Sequence, residues 1–107
     1  MSLPASRERP RTLFVSRHPG ARAWLREAGV VVDRTVAHLD LAGVRPGDTI
    51  VGSLPVNLAA AVCARGARYV HLSIELPAAK RGVELDATEL RELGARLEEY
   101  RVVRVAE

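Results

Sequence analysis

The residues best equipped for chemistry cluster in "FVSRHPGARAWL" (14–25). Arg17 is cationic at every relevant pH, and its planar fork suits a phosphate. His18 can give or take a proton near neutrality, and a bound phosphate would favour its charged form. Ser16 precedes them, and Pro19 and Gly20 follow. Proline in the first turn of a helix fixes the backbone without wasting a donor. The same grammar recurs in "IVGSLP", with Ser53, Leu54 and Pro55, and in "VHLSIELP", with Ser73 and Pro77.

Each of these segments reads as a strand leaving through serine and turning into proline. Two readings stand. Serine and proline are good helix-start residues anywhere. Alternatively, the strand ends of a parallel sheet converge on a ligand crevice, and the opening helices offer free N–H groups to an anion. The repetition, with Arg17, His18, Asn57 and His71 close by in sequence, favours a phosphate site. His71 and Ser73 are two apart on one strand and share a face; His71 is either a satisfied core histidine or a second candidate acid. Asn57, in the first turn of a helix, could bond a ribose or base, or be a surface polar residue. His38, in "VAHLD", is structural or adjacent to the site.

Several chemistries are disfavoured. There is no G-x-G-x-x-G and no G-x-x-x-x-G-K-[ST], so a dinucleotide dehydrogenase or P-loop ATPase is not expected. No serine sits in a G-x-S-x-G elbow. Three histidines and the single Cys63 do not make a zinc pattern, so neither metal nor cofactor is expected. Cys63, within the apolar "LAAAVCARG", reads as an inert thiol. If the site cuts RNA, the ribose 2′-OH can be the nucleophile. The protein then need only align it, neutralise the phosphate and protonate the leaving oxygen.

The elements that would position these residues alternate. Strands are expected at 12–16, 30–39 with a bend near Asp33, 49–53, 68–74 and 101–105. Helices are expected at 20–29, 55–66 and 86–100, the last opened by a capping box of Asp86 and Glu89. Residues 45–48 read as a turn. This alternation predicts an α/β fold: a Rossmann-like three-layer sandwich with a mostly parallel sheet of about five strands. The strands are continuous apolar runs, as expected when both faces are covered.

With 107 residues the chain fits one domain, 12–107, behind a polar basic tail at 1–11. Hydrophobic residues are 48% and charged residues 27%, enough for a folded core, and aromatics only 4%, so Val, Leu and Ala must fill it. So small a core makes a homodimer a reasonable expectation. Net charge is +3, with seven arginines against three acids in residues 1–34. A small anion would favour that half, although arginine dominance over a single lysine also fits compositional bias. One cysteine, no signal-peptide pattern and no span-length apolar run lead to a cytoplasmic expectation.

The blocks "FVSRHPGA..W", "VAHLD", "GDTIVGSLPVNLAAAVCARGARYVHLSIELPAAKRG" and "GARLEEYRV" resemble the small CRISPR-associated proteins of the Csx-sixteen family, found beside type III CRISPR systems. The resemblance covers residues 12 to 105. It implies a CRISPR-associated Rossmann-like fold and a homodimer that binds cyclic oligoadenylate, chiefly cyclic tetra-adenylate. It further implies a ring nuclease that cuts this messenger without metal to linear di-adenylates ending in 2′,3′-cyclic phosphate. That cleavage would switch antiviral signalling off. The matching site blocks are Ser16, Arg17, His18, Pro19 and Gly20, and Leu54, Pro55 and Asn57. Three readings follow: a ring nuclease, a sponge that holds the messenger uncut, or a regulatory partner of a CRISPR effector. No membrane or duplex DNA partner is expected.

Overall fold

The structure, a computed structural model, describes residues 9–75, 77–80, 82 and 85–106. Residues 1–8 of the expected basic tail lie outside the described residues. The elements run β1 (Thr12–Val15), α1 (Pro19–Glu27), β2 (Arg34–Val36), β3 (Thr49–Gly52), α2 (Val56–Ala64), β4 (Arg68–Ser73), α3 (Ala87–Glu92) and β5 (Arg96–Tyr100). Single 3-10 turns occupy Leu41–Gly43 and Ala78–Lys80.

The five strands form one sheet in the order β2-β1-β3-β4-β5. The first four pair in parallel, and β5 runs antiparallel to β4. Alternation along the strands divides the core in two. Leu13, Ile50 and Tyr69 face Ala59 and Val62 of α2. Phe14, Val51 and Leu72 face Ala21, Trp24 and Leu25 of α1 and Leu90 of α3. The result is the α/β sandwich expected from the sequence, with α1 and α3 on one side of the sheet and α2 on the other.

The sequence-based boundaries shift in two places. The segment 86–100 is not one helix: α3 ends at Glu92, Gly94 takes a φ of +73°, and the chain returns as β5. Leu90 and Leu97 do pack in the same core, but from a helix and a strand. Residues 101–105 therefore form no strand; they follow β5 without regular structure, with Val102 N–H donating to Cys63 Sγ at 3.4 Å. The second strand spans only Arg34–Val36, because Val30 and Val32 pack in the α1–α3 core from a loop.

Two polar contacts hold the start of the sheet. Asp48 is only 2% exposed and accepts from the backbone N–H groups of Arg11 and Arg45, both at 3.0 Å. Asp33 Oδ2 accepts from Thr12 N at 2.7 Å, which seats β2 beside β1. A buried carboxylate satisfied by backbone donors is costly to remove, since the donors would be orphaned.

At Gly20 the first turn of α1 lies on the backbone that leads into α3. A Cβ there would collide with the Leu85 carbonyl oxygen and lie 2.7 Å from Asp86 Cα. Gly20→Ala is therefore expected to cost about 1–3 kcal/mol through overpacking against backbone. Urea unfolding measures it; a variant as stable as wild type would show that the α1–α3 contact is looser than described.

Candidate functional site

β1 is flanked by β2 on one side and β3 on the other. The chain leaves β1 toward α1 and leaves β3 toward α2, on the opposite face. In doubly wound sheets this reversal between neighbouring parallel strands opens a crevice at their carboxyl ends. A cavity of about 690 Å³ lies there, walled by Ser16, Arg17, His18, His38, Ser53 and Leu54 over an apolar floor that includes Phe14 and Leu72.

The polar residues of the wall are held unequally. Ser16 N–H donates to Val36 O at 2.9 Å, and its Oγ accepts from His18 N at 3.0 Å. That local turn projects Arg17 and His18 outward, where both are exposed. His38, also exposed, joins them from the bend after β2. The side chains of Arg17, His18 and His38 bond no other group among the described residues. Ser53 Oγ donates to Leu72 O at 2.9 Å, and Leu54 N–H to Tyr69 Oη at 2.9 Å, so the β3–α2 turn is fastened to β4.

Helix starts differ in a way that matters. α3 begins with a full capping box between Asp86 and Glu89. α1 begins at His18 and α2 at Pro55, and neither start has a side-chain cap. Both uncapped starts flank the crevice and present two positive dipole ends to it. α2 leaves its first-turn N–H groups for an external acceptor, whereas α1 leaves only that of Gly20, since Pro19 has none and Ala21 N–H donates to His18 O at 3.1 Å.

Other sequence candidates lie elsewhere. Pro19 and Gly20 shape the first turn of α1; they do not line the cavity. Asn57 is exposed on α2 and lines a separate groove of about 1190 Å³ between α2 and residues 99–104. His71 and Ser73 point to the α2 side of the sheet at its β5 edge. His71 Nδ1 lies 2.6 Å from Tyr69 Oη, and its ring meets those of Tyr69 and Tyr100 edge-on. Ser73 Oγ donates to Glu98 Oε1 at 2.6 Å. The third serine exit thus differs from the other two, and Pro77 leads only into the 3-10 turn at Ala78–Lys80. The sequence pattern left His38 without a role; its signal was position, just past the strand that pairs with β1.

Charge pairing dominates the β5 edge. The Ser73 hydrogen bond holds the Glu98 carboxyl below the ordinary carboxylate range. Arg68 grips Glu99 with two bonds, at 2.9 and 2.7 Å, lowering that carboxyl too and raising its own guanidinium. Among the described residues no group of three or more His, Cys, Asp or Glu is placed to hold a metal ion. No described helix is long and apolar enough to cross a membrane.

A mostly parallel five-stranded sheet that reverses at β1 and β3, with helices on both faces and a crevice at the strand ends, defines an α/β sandwich domain. Residues 13–103 match the family described as "Putative CRISPR-associated protein (Cas_VVA1548)", and the chain belongs to that family of CRISPR-associated proteins. No curated protein and no solved structure matches the chain.

Arg17→Ala, His18→Ala and His38→Ala are each expected to change stability by no more than about 0.5 kcal/mol, because exposed side chains without partners contribute little to folding. Urea midpoints test this; a loss above 1.5 kcal/mol at any of the three would mark that residue as structural. The Glu98 carboxyl should titrate below an ordinary glutamate and move upward in Ser73→Ala, read by carbon-detected NMR. Because its folded value is depressed, its contribution to stability is complete above the unfolded glutamate value and fades as pH falls through the lower folded one.

Proposed function

We propose that this protein is a ring nuclease that binds and cleaves cyclic oligoadenylate, chiefly cyclic tetra-adenylate, and so ends type III CRISPR signalling. The observation that carries the reading is the pair of uncapped helix starts facing Arg17, His18 and His38 at the sheet reversal. That arrangement suits a phosphodiester, and membership of a CRISPR-associated family makes the oligoadenylate messenger the apt one.

The chemistry needs only these groups. Arg17 and the α1 first turn hold the scissile phosphate, and Ser16 shapes that turn. Ser53, Leu54 and Pro55 form the opposite wall. The ribose 2′-oxygen attacks phosphorus and the bond to the 5′-oxygen breaks, leaving a 2′,3′-cyclic phosphate. His18 as imidazolium gives its proton to the departing oxygen, while neutral His38 accepts the 2′-OH proton. No metal takes part in these steps.

The working form is a homodimer, with the ring across its twofold axis so that each protomer serves half of it. Supporting this, α2 carries no charged residue in Val56–Ala64. Its outward Val56 is 72% exposed, and Val103 nearby is 71% exposed. An uncharged helix whose outer face exposes valine suits contact with a second protomer.

The test is cyclic tetra-adenylate with purified protein and EDTA, followed by chromatography. Linear di-adenylate with a cyclic phosphate end is expected. His18→Ala should keep binding and lose cleavage by roughly 10²–10⁴-fold. Intact messenger at enzyme excess sinks the nuclease. Tight binding without turnover would establish a sponge instead, and no binding would leave only a regulatory partner.

A further inference from the structure

Tyr69 is 2% exposed, yet its hydroxyl lies within hydrogen-bond distance of three groups. Leu54 N–H donates to it at 2.9 Å, Gly52 O lies at 3.2 Å, and His71 Nδ1 lies at 2.6 Å. A phenol has one proton to give and two lone pairs to fill. If His71 Nδ1 were bare, the single phenolic proton could serve either His71 or Gly52 O, not both. With the proton on Nδ1, all three contacts are made at once: Tyr69 accepts from Leu54 N–H and from His71 Nδ1–H and donates to Gly52 O. Buried polar groups settle where every bond is made.

We propose that His71 is a positioning residue acting through Tyr69, not a general acid. Carrying its proton on Nδ1, it orients the Tyr69 hydroxyl, which clasps both Gly52 and Leu54 and so sets the β3–α2 turn. The edge-on contacts with Tyr69 and Tyr100 hold the imidazole for this task. The clasp determines where Ser53 and the first turn of α2 sit relative to Arg17 and His18. His71 itself lines no part of the crevice among the described residues. The effect on ligand rests on the reading of that crevice as the oligoadenylate site; the clasp itself does not.

Two sets of measurements separate these levels. In the free protein, long-range nitrogen NMR should find His71 protonated at Nδ1, and the Leu54 amide should be protected from exchange. His71→Phe, which keeps a ring but no nitrogen, should raise Leu54 exchange by roughly three- to tenfold, with Val51 unaffected. His71→Asn, whose amide nitrogen can stand near the Nδ1 position, should restore part of the protection, and His71→Gln should not. Tyr69→Phe should release Leu54 at least as far. A bare Nδ1, or unchanged Leu54 exchange in His71→Phe, overturns the clasp. With cyclic tetra-adenylate, His71→Phe should weaken binding by a similar factor, with His71→Asn rescuing it. Normal binding with lost cleavage in His71→Phe would make His71 catalytic and overturn the proposal. If wild type binds no cyclic oligoadenylate, the functional reading falls while the exchange data still judge the clasp.

Discussion

The site depends on one pairing, that of β1 with β3. Val15 stands opposite Gly52 at the carboxyl end of this ladder. A Cβ on Gly52 would come 2.9 Å from Val15 O, so the strand ends approach as closely as a bare backbone allows. β1 also pairs with β2 on its other side, and α1 and α2 pack against opposite faces of the sheet. The two connections must therefore diverge from neighbouring strand ends. The gap between them is the crevice, and its chemistry is whatever residues 16–18 and 53–55 happen to carry.

Charge is distributed to match. On the β5 edge, Arg68 pairs with Glu99 across β4 and β5, and Arg96 pairs with Glu98 on its own strand and with Glu75 just past β4. Arg91 and Glu27 bridge α3 and α1. Around the crevice the cationic and basic side chains have no such partners among the described residues. Exposed pairs add little to stability, but they neutralise their own surroundings. The unpaired Arg17 therefore leaves a local positive field at one end of the sheet.

Much of this was readable from residue order. β1 and β3 are short, mostly apolar runs, β4 is rich in apolar residues, each closes on a serine, and Pro19, Pro55 and Gly66 punctuate the helices between them. Failure came where two periodicities coincide. Leu90, Leu93, Leu97 and Tyr100 repeat at helical spacing, yet Gly94 breaks the run and Leu97 reaches the same core from a strand. In β2, apolar Val30 and Val32 looked like strand because loop residues that close a core are as apolar as strand residues. The divergence of Ser73 and His71 from the crevice was not legible either. Both lie on the α2 face at the β4–β5 edge, where their partners Tyr100 and Glu98 come from β5, and β5 was hidden inside the apparent helix.

The contrast among helix starts carries a wider consequence. A capping side chain contributes about 1 kcal/mol to a helix, and this chain uses one at α3 but not at α1 or α2. The fold thus forgoes rigidity at the two places where a ligand would supply the missing acceptor. Selection for thermal robustness alone would fill both positions with aspartate or serine, and the resulting protein would be sturdier but would have closed both helix starts to any outside acceptor.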